Sequence, residues 1–464
     1  MPRSVAVVGG GIAGLSAAYE LNRLQQGGAD LSFTLFEKSK RLGGTVDTLR
    51  ERGFVIECGP DGWVTEKPWA RELAEELGLG DQLIASKDHE RITWVLQGGK
   101  LLAMPDNMRM MVPESMDSIL QSPLFSEAAR AAYAAEEQRA DELKAAAPDH
   151  DESVASFVGR HFGDEVLRVI GAPLLGGVFG GDVHRLSVRA VMPAFVAMER
   201  EYGSLIRALA ARKLQRGDRP AASVFTSLRG GTGLLIDRMT ARLPPDSLRM
   251  ATEVTAIQRV DGGWVVTGGA GGTQTYDHLM LALPVPHAAR LLRPVDAEIA
   301  EGVTMPTSSA VIAGFGFAPG EAPVLPQGFG FLCPEGEDSE LLAATFADQK
   351  FDGRAPVGGK SVRAYFGGAV ADALMASPDD EIAAKAMREL EKVLGPMPEA
   401  VVAMVRRWPG GLPQYEVGHL DRMAELQRRV DAVGGLHLLG NGYRGVGLPD
   451  LIRDGRAAAR SVAD

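Results

Sequence analysis

An α/β composite fold is predicted from three features at different places in the chain. Residues 5–24 read as a strand, a glycine loop and a helix. Residues 445–463 repeat a loop-to-helix start at the far end. Between them lie a mainly helical stretch, 88–205, and a run of short apolar strands, 286–430. Together they predict a discontinuous Rossmann-like domain, a second domain built on a sheet, and a helical insertion.

The first unit justifies the dinucleotide-binding part. Val5-Ala6-Val7-Val8 is an apolar run suited to a buried strand, and Leu15 to Leu24 has helical character. Between them stand Gly9, Gly10, Gly11, Ile12, Ala13 and Gly14. In such a loop the first glycine allows a tight turn. The second lets backbone approach a pyrophosphate, and the third lets helix pack closely on strand. The helix start offers free N–H groups and the positive end of its dipole. Glycine turns alone are common. Here an apolar run, Phe33 to Phe36, ends in Glu37, 23 residues after Gly14. An acid at that place accepts from a ribose 2′-OH.

Glu37, Lys38, Arg41, Gly43 and Gly44 follow in an order that resembles the extended motif of the amine-oxidase-like FAD superfamily. The resemblance implies FAD, with Arg41 near phosphate and the Gly43-Gly44 backbone beside the flavin ring. An arginine suits phosphate, and paired glycines put no side chain against a flat ring.

Composition narrows the classes. A net charge of −11 disfavours nucleic acid and does not help binding to anionic membranes. Cys58 and Cys333 form no CxxC pair, and the eight histidines show no ligand spacing, so two reduced thiols and no metal are expected. No signal peptide is expected before Val5, and no run of eighteen apolar residues occurs.

In chain order, Phe54 to Glu57 is a strand, and Cys58, Gly59, Pro60, Asp61 and Gly62 form a turn whose place suggests passage beside the flavin. Lys67 and Arg71 open a helix running from Glu66 to Leu77. They are either a solvated face or, for Lys67, a partner for a substrate carboxylate. Trp94 to Leu102 is a hairpin. The methionines between Met104 and Phe125 are core filler or a greasy surface. Phe125–Ala147 and Glu152–Phe162 are helices. Gly176-Gly177-Val178-Phe179-Gly180-Gly181-Asp182 marks close backbone approach, to a helix or to a ligand. A helix from Leu234 precedes a strand reaching Val254, which the flavoprotein resemblance places against adenine. Trp264–Thr267 and Thr273–Tyr276 pair across Gly268 to Gly272, and Asp277–Leu283 returns to the main sheet. Val311–Phe315, Leu341–Phe346 and Val362–Phe366 form a second sheet, beside a helix from Glu381 to Leu394. The last strand ends at Gly440 and Asn441, and Val446, Gly447 and Leu448 lead into a helix from Leu451. The cofactor domain is thus 1–87, 206–285 and 431–464. Residues 88–205 are the insertion and 286–430 the substrate domain.

Three segments resemble the protoporphyrinogen oxidase family in its bacterial oxygen-dependent form: Gly177 to Asp182 with Leu186-Ser187, Gly328 to Pro334, and Arg407-Trp408-Pro409 with Pro413-Gln414-Tyr415 and Gly418-His419. The resemblance implies oxidation of protoporphyrinogen IX or coproporphyrinogen III in haem biosynthesis. Six electrons leave in three rounds as hydrides to flavin N5, and O2 returns as H2O2. It places Trp408 over a non-covalent flavin and makes Lys67, Gly177, Leu332 and Phe366 candidates for the substrate pocket. No acid–base residue is demanded. A cytoplasmic enzyme is expected, with peripheral membrane contact and a homodimer left open. An amine oxidase is the nearest rival, but Ser308 to Phe317 holds no lysine of the kind those enzymes keep there. A flavin-bound scaffold without turnover is the other.

Overall fold

The structure is a computed structural model describing residues 2–217, 222–269 and 272–463. Its first sheet is parallel throughout, in the order Leu248–Arg249, Leu31–Phe36, Arg3–Val8, His278–Leu281, Leu436–Leu438. Val5 to Val8 are buried because elements cover both faces, which is why they read as an unbroken apolar run. The three predicted pieces of the chain therefore meet in one sheet.

The first helix, Ile12–Gln26, is buried from Ile12 to Asn22. It lies between the sheet and the last helix, Leu448–Ala463. That contact is close: a Cβ on Gly455 would stand 2.3 Å from Ala13 O. Glu20, fully buried on the first helix, accepts from Arg456 Nε and Arg460 Nε of the last helix, each at 2.8 Å, and from Arg23 Nη2 at 2.7 Å. Burial by itself raises the Glu20 carboxyl, but the arginines outweigh it and hold the group at about 2.

The second sheet has seven strands, in the order Val402–Pro413, Thr307–Phe317, Lys360–Gly367, Ala343–Phe346, Gly330–Leu332, Thr93–Gln97, Lys100–Ala103. Alternation along each strand separates its faces. Val311, Phe315, Phe331, Phe346, Val362 and Phe366 form a core beneath the helix Asp379–Leu394, which adds Ile382, Ala386 and Leu390. On the opposite face Ile312 and Met404 pack on Phe54 and Ile56 of the hairpin Thr48–Glu51 with Phe54–Glu57.

Several boundaries differ from the sequence expectation. The hairpin Trp94–Leu102 is the edge of the second sheet, because Thr93–Val95 pair in parallel with Gly330–Leu332. The insertion therefore begins after residue 103. The helices Val285–Leu292, Ala297–Val303 and His419–Val433 pack on the first sheet through Val285, Leu292, Ile299, Leu426 and Val430. They cover a face of that sheet that would otherwise be open. The helix expected from Glu66 begins at Trp69, since the residue before Pro68 is driven away from helical backbone. The long helix expected over Phe125–Ala147 is two, Glu127–Glu136 and Ala140–Ala146. The last helix starts at Leu448, three residues early. The hairpin Gly263–Gly268 with Gly272–Tyr276 pairs as expected; its turn residues 270 and 271 lie outside the described residues.

The insertion has its own apolar centre, including Tyr133, Phe157, Phe162, Met108 and Met111. Of the two readings of the methionine run, core filler holds for these two; Met104, Met110 and Met116 are partly buried against the same cluster. Among the described residues no helix is long and apolar enough to cross a membrane.

Glu20→Gln is expected to cost about 3 kcal/mol of unfolding free energy, because it leaves the arginines facing a neutral group. The depressed carboxyl contributes stability above the unfolded value near 4.5 and loses it as pH falls toward about 2. Urea unfolding of both proteins from pH 7 down should show that difference shrinking only on the acid side.

Candidate functional site

The glycines of the first loop do different work. Gly9, at φ +106°, has no room for a side chain, since a Cβ would lie 2.2 Å from Ala282 O on the neighbouring strand. A Cβ on Gly14 would lie 2.0 Å from Gly9 O, so this glycine seats helix on loop. A Cβ on Gly11 would meet nothing within 4 Å. The first helix has no side-chain cap and no acid in its first turn. The N–H groups of Ile12, Ala13 and Gly14 therefore face a space that an anion can enter.

Gly43 and Gly44 close on this loop. Gly43 N–H donates to Gly10 O at 2.8 Å, and a Cβ on Gly44 would come within 3.1 Å of Gly11 Cα. Glu37 accepts from Gly10 N–H and Ser39 N–H, both at 2.8 Å, which fixes the carboxylate at the end of its strand with lone pairs to spare. Thr252 N–H donates to Glu37 O at 2.8 Å, so the strand that Val254 opens stands beside this acid. Lys38 is exposed. Arg41 turns its side chain onto its own loop. Its guanidinium donates to the carbonyls of Leu42 (2.9 Å), Val46 (3.0 Å) and Gly44, and so shapes the Gly43-Gly44 loop.

The turn Gly59–Gly62 is pinned from below. Asp61 turns its carboxylate to Lys350 at 2.9 Å and to Arg363 at 3.5 Å. Burial pushes this carboxyl up, yet the two cations hold it at about 2. Arg363 also donates to Gly59 O, and Thr232 Oγ1 donates to Pro60 O at 3.2 Å. A Cβ on Gly62 would lie 2.5 Å from Thr226 O. Beside them Arg354 lies 3.6 Å from Glu57, both 1% exposed. The sequence reading missed Lys350, Arg354 and Arg363. The signal was there for Arg363, a lone charge between Val362 and Ala364 in an apolar strand, where a buried ion pair is the usual reason.

Trp408 Nε1–H donates to Cys58 O at 2.9 Å, so its indole lies along the same turn. Cross-strand pairing carries this face outward: Trp408 opposite Ala310, Ile312 opposite Tyr365, Tyr365 opposite Ala343, Ala343 opposite Leu332. Leu332 is buried on this face while Phe331 and Cys333 point into the core. Phe366 does not join it. The side chain is fully buried on the opposite face among Phe346 and Val362, because one residue along a strand reverses direction.

The glycine cluster at 176–181 splits into two. Gly176 and Gly177 lie in the last turns of the helix Ala172–Phe179, and a Cβ on either would meet nothing within 4 Å. The crowding expected there falls instead on Gly180, the left-handed cap at φ +63°, and on Gly181, where a Cβ would lie 1.9 Å from Gln414 Oε1. Lys67 is bound to Asp450 at 2.5 Å, in the first turn of the last helix, and Arg71 to Glu75 at 3.0 Å. Gly440, Asn441, Val446, Gly447 and Leu448 form the loop into that helix, where Asn441 Nδ2 donates to Gly411 O at 2.8 Å. Both cysteines are buried, and burial pushes Cys58 up to about 11 and Cys333 to about 12, so neither offers a thiolate.

Gly11→Val and Gly14→Val are expected to separate binding from folding. Gly11→Val should leave the cofactor-free melting temperature within about 2 °C and abolish the bound cofactor's absorbance, whereas Gly14→Val should lower the melting temperature by about 8 °C or more.

Comparison with known proteins agrees with this geometry. The profile of the family described as flavin containing amine oxidoreductase matches residues 12–463. A coproporphyrinogen III oxidase of Bacillus subtilis (strain 168) is 29% identical over 98% of this chain and 97% of its own. One from Propionibacterium freudenreichii subsp. freudenreichii is 33% identical over 99% and 90%. A crystal structure from Exiguobacterium sp. 255-15, named as a candidate protoporphyrinogen oxidase, superposes with a TM-score of 0.85 at 30% identity, covering 100% of this chain and 99% of that one. With a glycine loop, an acid at the strand end and a profile match over residues 12–463, the chain belongs to the flavin-containing amine oxidoreductase family and is a flavin-dependent oxidoreductase.

Proposed function

We propose that this enzyme oxidises a porphyrinogen to the porphyrin, on FAD held without a covalent bond and with O2 as the final acceptor. Coproporphyrinogen III is the preferred substrate in this reading, since the curated relatives described above carry that name. The observation that carries the reading is the substrate face itself. Trp408, Tyr365, Ala343 and Leu332 line up along one face of the second sheet beside Ile312, which packs on Phe54 and Ile56, and in this reading Gly176 and Gly177, with open space beside them, wall that face. A disc-shaped macrocycle suits such a face, and it needs orientation more than acid–base help.

The residues fit FAD. Open space at Gly11 and uncapped N–H groups receive the pyrophosphate, Glu37 takes the ribose, and Val254 stands beside it for the adenine. The last helix, beginning at Leu448, turns its positive end toward the flavin where negative charge collects. Buried, protonated thiols at Cys58 and Cys333 support a non-covalent cofactor. When bound, FAD supplies hydride acceptance and delivery of electrons to O2. The chain's own part is positioning. The Gly180 N–H donates to Gly176 O at 2.8 Å, which leaves the Gly177 carbonyl beyond the last helical hydrogen bond. In this reading that carbonyl accepts a pyrrole N–H. Leu332 and Trp408 set the plane in which the ring lies. A peripheral membrane contact and a dimer remain compatible with the fold, and neither is needed by this chemistry.

Purified protein, FAD and each porphyrinogen mixed in air should develop porphyrin fluorescence, faster with coproporphyrinogen III. No emission above the spontaneous rate with either substrate would sink the reading. Lys67→Met is expected to leave KM unchanged, because Asp450 already holds that ammonium group; a tenfold rise in KM would return Lys67 to the substrate.

A further inference from the structure

We infer that Gln414 and Tyr415 are positioning residues that set the two walls of the reaction site, Tyr415 the cofactor loop and Gln414 the substrate-side helix. The inference rests on the flavin reading above and assigns a task to a segment that the chemistry leaves without one.

Tyr415 is 3% exposed. Its hydroxyl donates to Asn441 O at 2.6 Å and accepts from Gly445 N–H at 3.1 Å, so one oxygen brackets the loop that ends at the last helix. The ring cannot swing away. It stacks on His419 with centroids 3.8 Å apart and planes 12° from parallel. His419 Nε2 lies 3.0 Å from Tyr443 O, on the same loop. A carbonyl only accepts, so Nε2 carries the proton. Burial drives the imidazole down to about 4, and it stays neutral in that tautomer through physiological pH. Tyr415 and His419 thus fasten residues 441, 443 and 445 from one side.

Gln414 works on the other wall. Its Nε2 donates to Phe179 O at 2.8 Å, the last residue of the helix that presents Gly176 and Gly177, and to Leu412 O at 2.8 Å. Its Oε1 fills the place a side chain on Gly181 would need. Gln414 is therefore a cap for a helix whose final carbonyls have no continuing turn. The backbone joins in, since Tyr415 O accepts from Ser187 N–H at 2.7 Å. Two adjacent residues hold the cofactor loop and the substrate wall, so a single peptide unit sets the distance between them. The glycine cluster at 176–181 and Gln414 therefore touch, though they lie far apart in the chain.

Tyr415→Phe keeps the ring and removes only the bracketing oxygen, and Gln414→Met keeps length and removes the amide. FAD titration of the cofactor-free proteins should show a dissociation constant raised about tenfold or more for Tyr415→Phe, with its cofactor-free melting temperature lowered by only about 2–4 °C, and no change in that constant for Gln414→Met. Hydrogen exchange of the FAD-loaded proteins should show the amides of residues 178–181 opening at least about tenfold faster in Gln414→Met alone. In the unaltered chain Gly445 N–H should exchange slowly, a readout that stands if Tyr415→Phe does not fold. Unchanged FAD affinity in Tyr415→Phe, equal loss of affinity in both variants, unaltered exchange at 178–181, or fast exchange at Gly445 would each overturn the assignment. None of these arms uses turnover. A protein that binds FAD and oxidises no porphyrinogen would refute the substrate reading and leave this one standing.

Discussion

The contact between the first and last helices is the constraint on which the rest depends. Gly455 lets the last helix come within backbone distance of Ala13, and Glu20 ties the pair together through Arg456 and Arg460. Gly455 is the eighth residue of the last helix and Ala13 the second of the first, so the helices run side by side with their starts offset by about 9 Å. One start follows Gly9–Gly11 and the other follows Gly447. In the proposed function the two dipoles serve different parts of one long cofactor. A buried carboxylate among arginines is costly to desolvate and strongly bound once paired. It specifies which faces of the two helices meet.

A second set of buried charges joins the strand and turn at 54–62 to the second sheet and the segment before its strand Lys360–Gly367. Glu57 and Asp61 come from the strand and turn beside the first sheet, and Lys350, Arg354 and Arg363 from the second domain. Their partners are fixed by geometry, so the turn Gly59–Gly62 is held at a set distance from the strand bearing Tyr365. Trp408 adds its bond to Cys58 O from the next strand but one. The Gly59–Gly62 turn and the strand face bearing Tyr365 and Trp408 are in this way held against each other.

Much of that site was legible in the residues. Gly9, Gly11, Gly14 and Glu37 act by local rules, a tight turn, an open approach, a close helix and an acid at a strand end, and local rules survive in sequence. Arg41 sits in the neighbourhood its motif names, and a motif does not say which acceptors a long side chain finds. Here they include three carbonyls of its own loop. Phe366 was misplaced because its strand is buried on both faces, so hydropathy carries no mark of which side it takes. Lys67 was left between solvent and substrate, and its true partner lies 383 residues away. The hairpin at 93–103 was assigned to the insertion beside it in sequence, whereas its pairing is with Gly330–Leu332.

By itself the sequence determined the class of cofactor and the kind of fold, since glycine spacing and apolar period follow from backbone sterics and strand geometry. Only the tertiary structure decided which residues share a face and which charges share a partner. Those choices depend on contacts between segments hundreds of residues apart. Gln414 and Tyr415 show the difference. In the chain they are two polar residues after a proline. In the fold one caps a helix that ended at residue 179, and the other holds a loop that begins after residue 440.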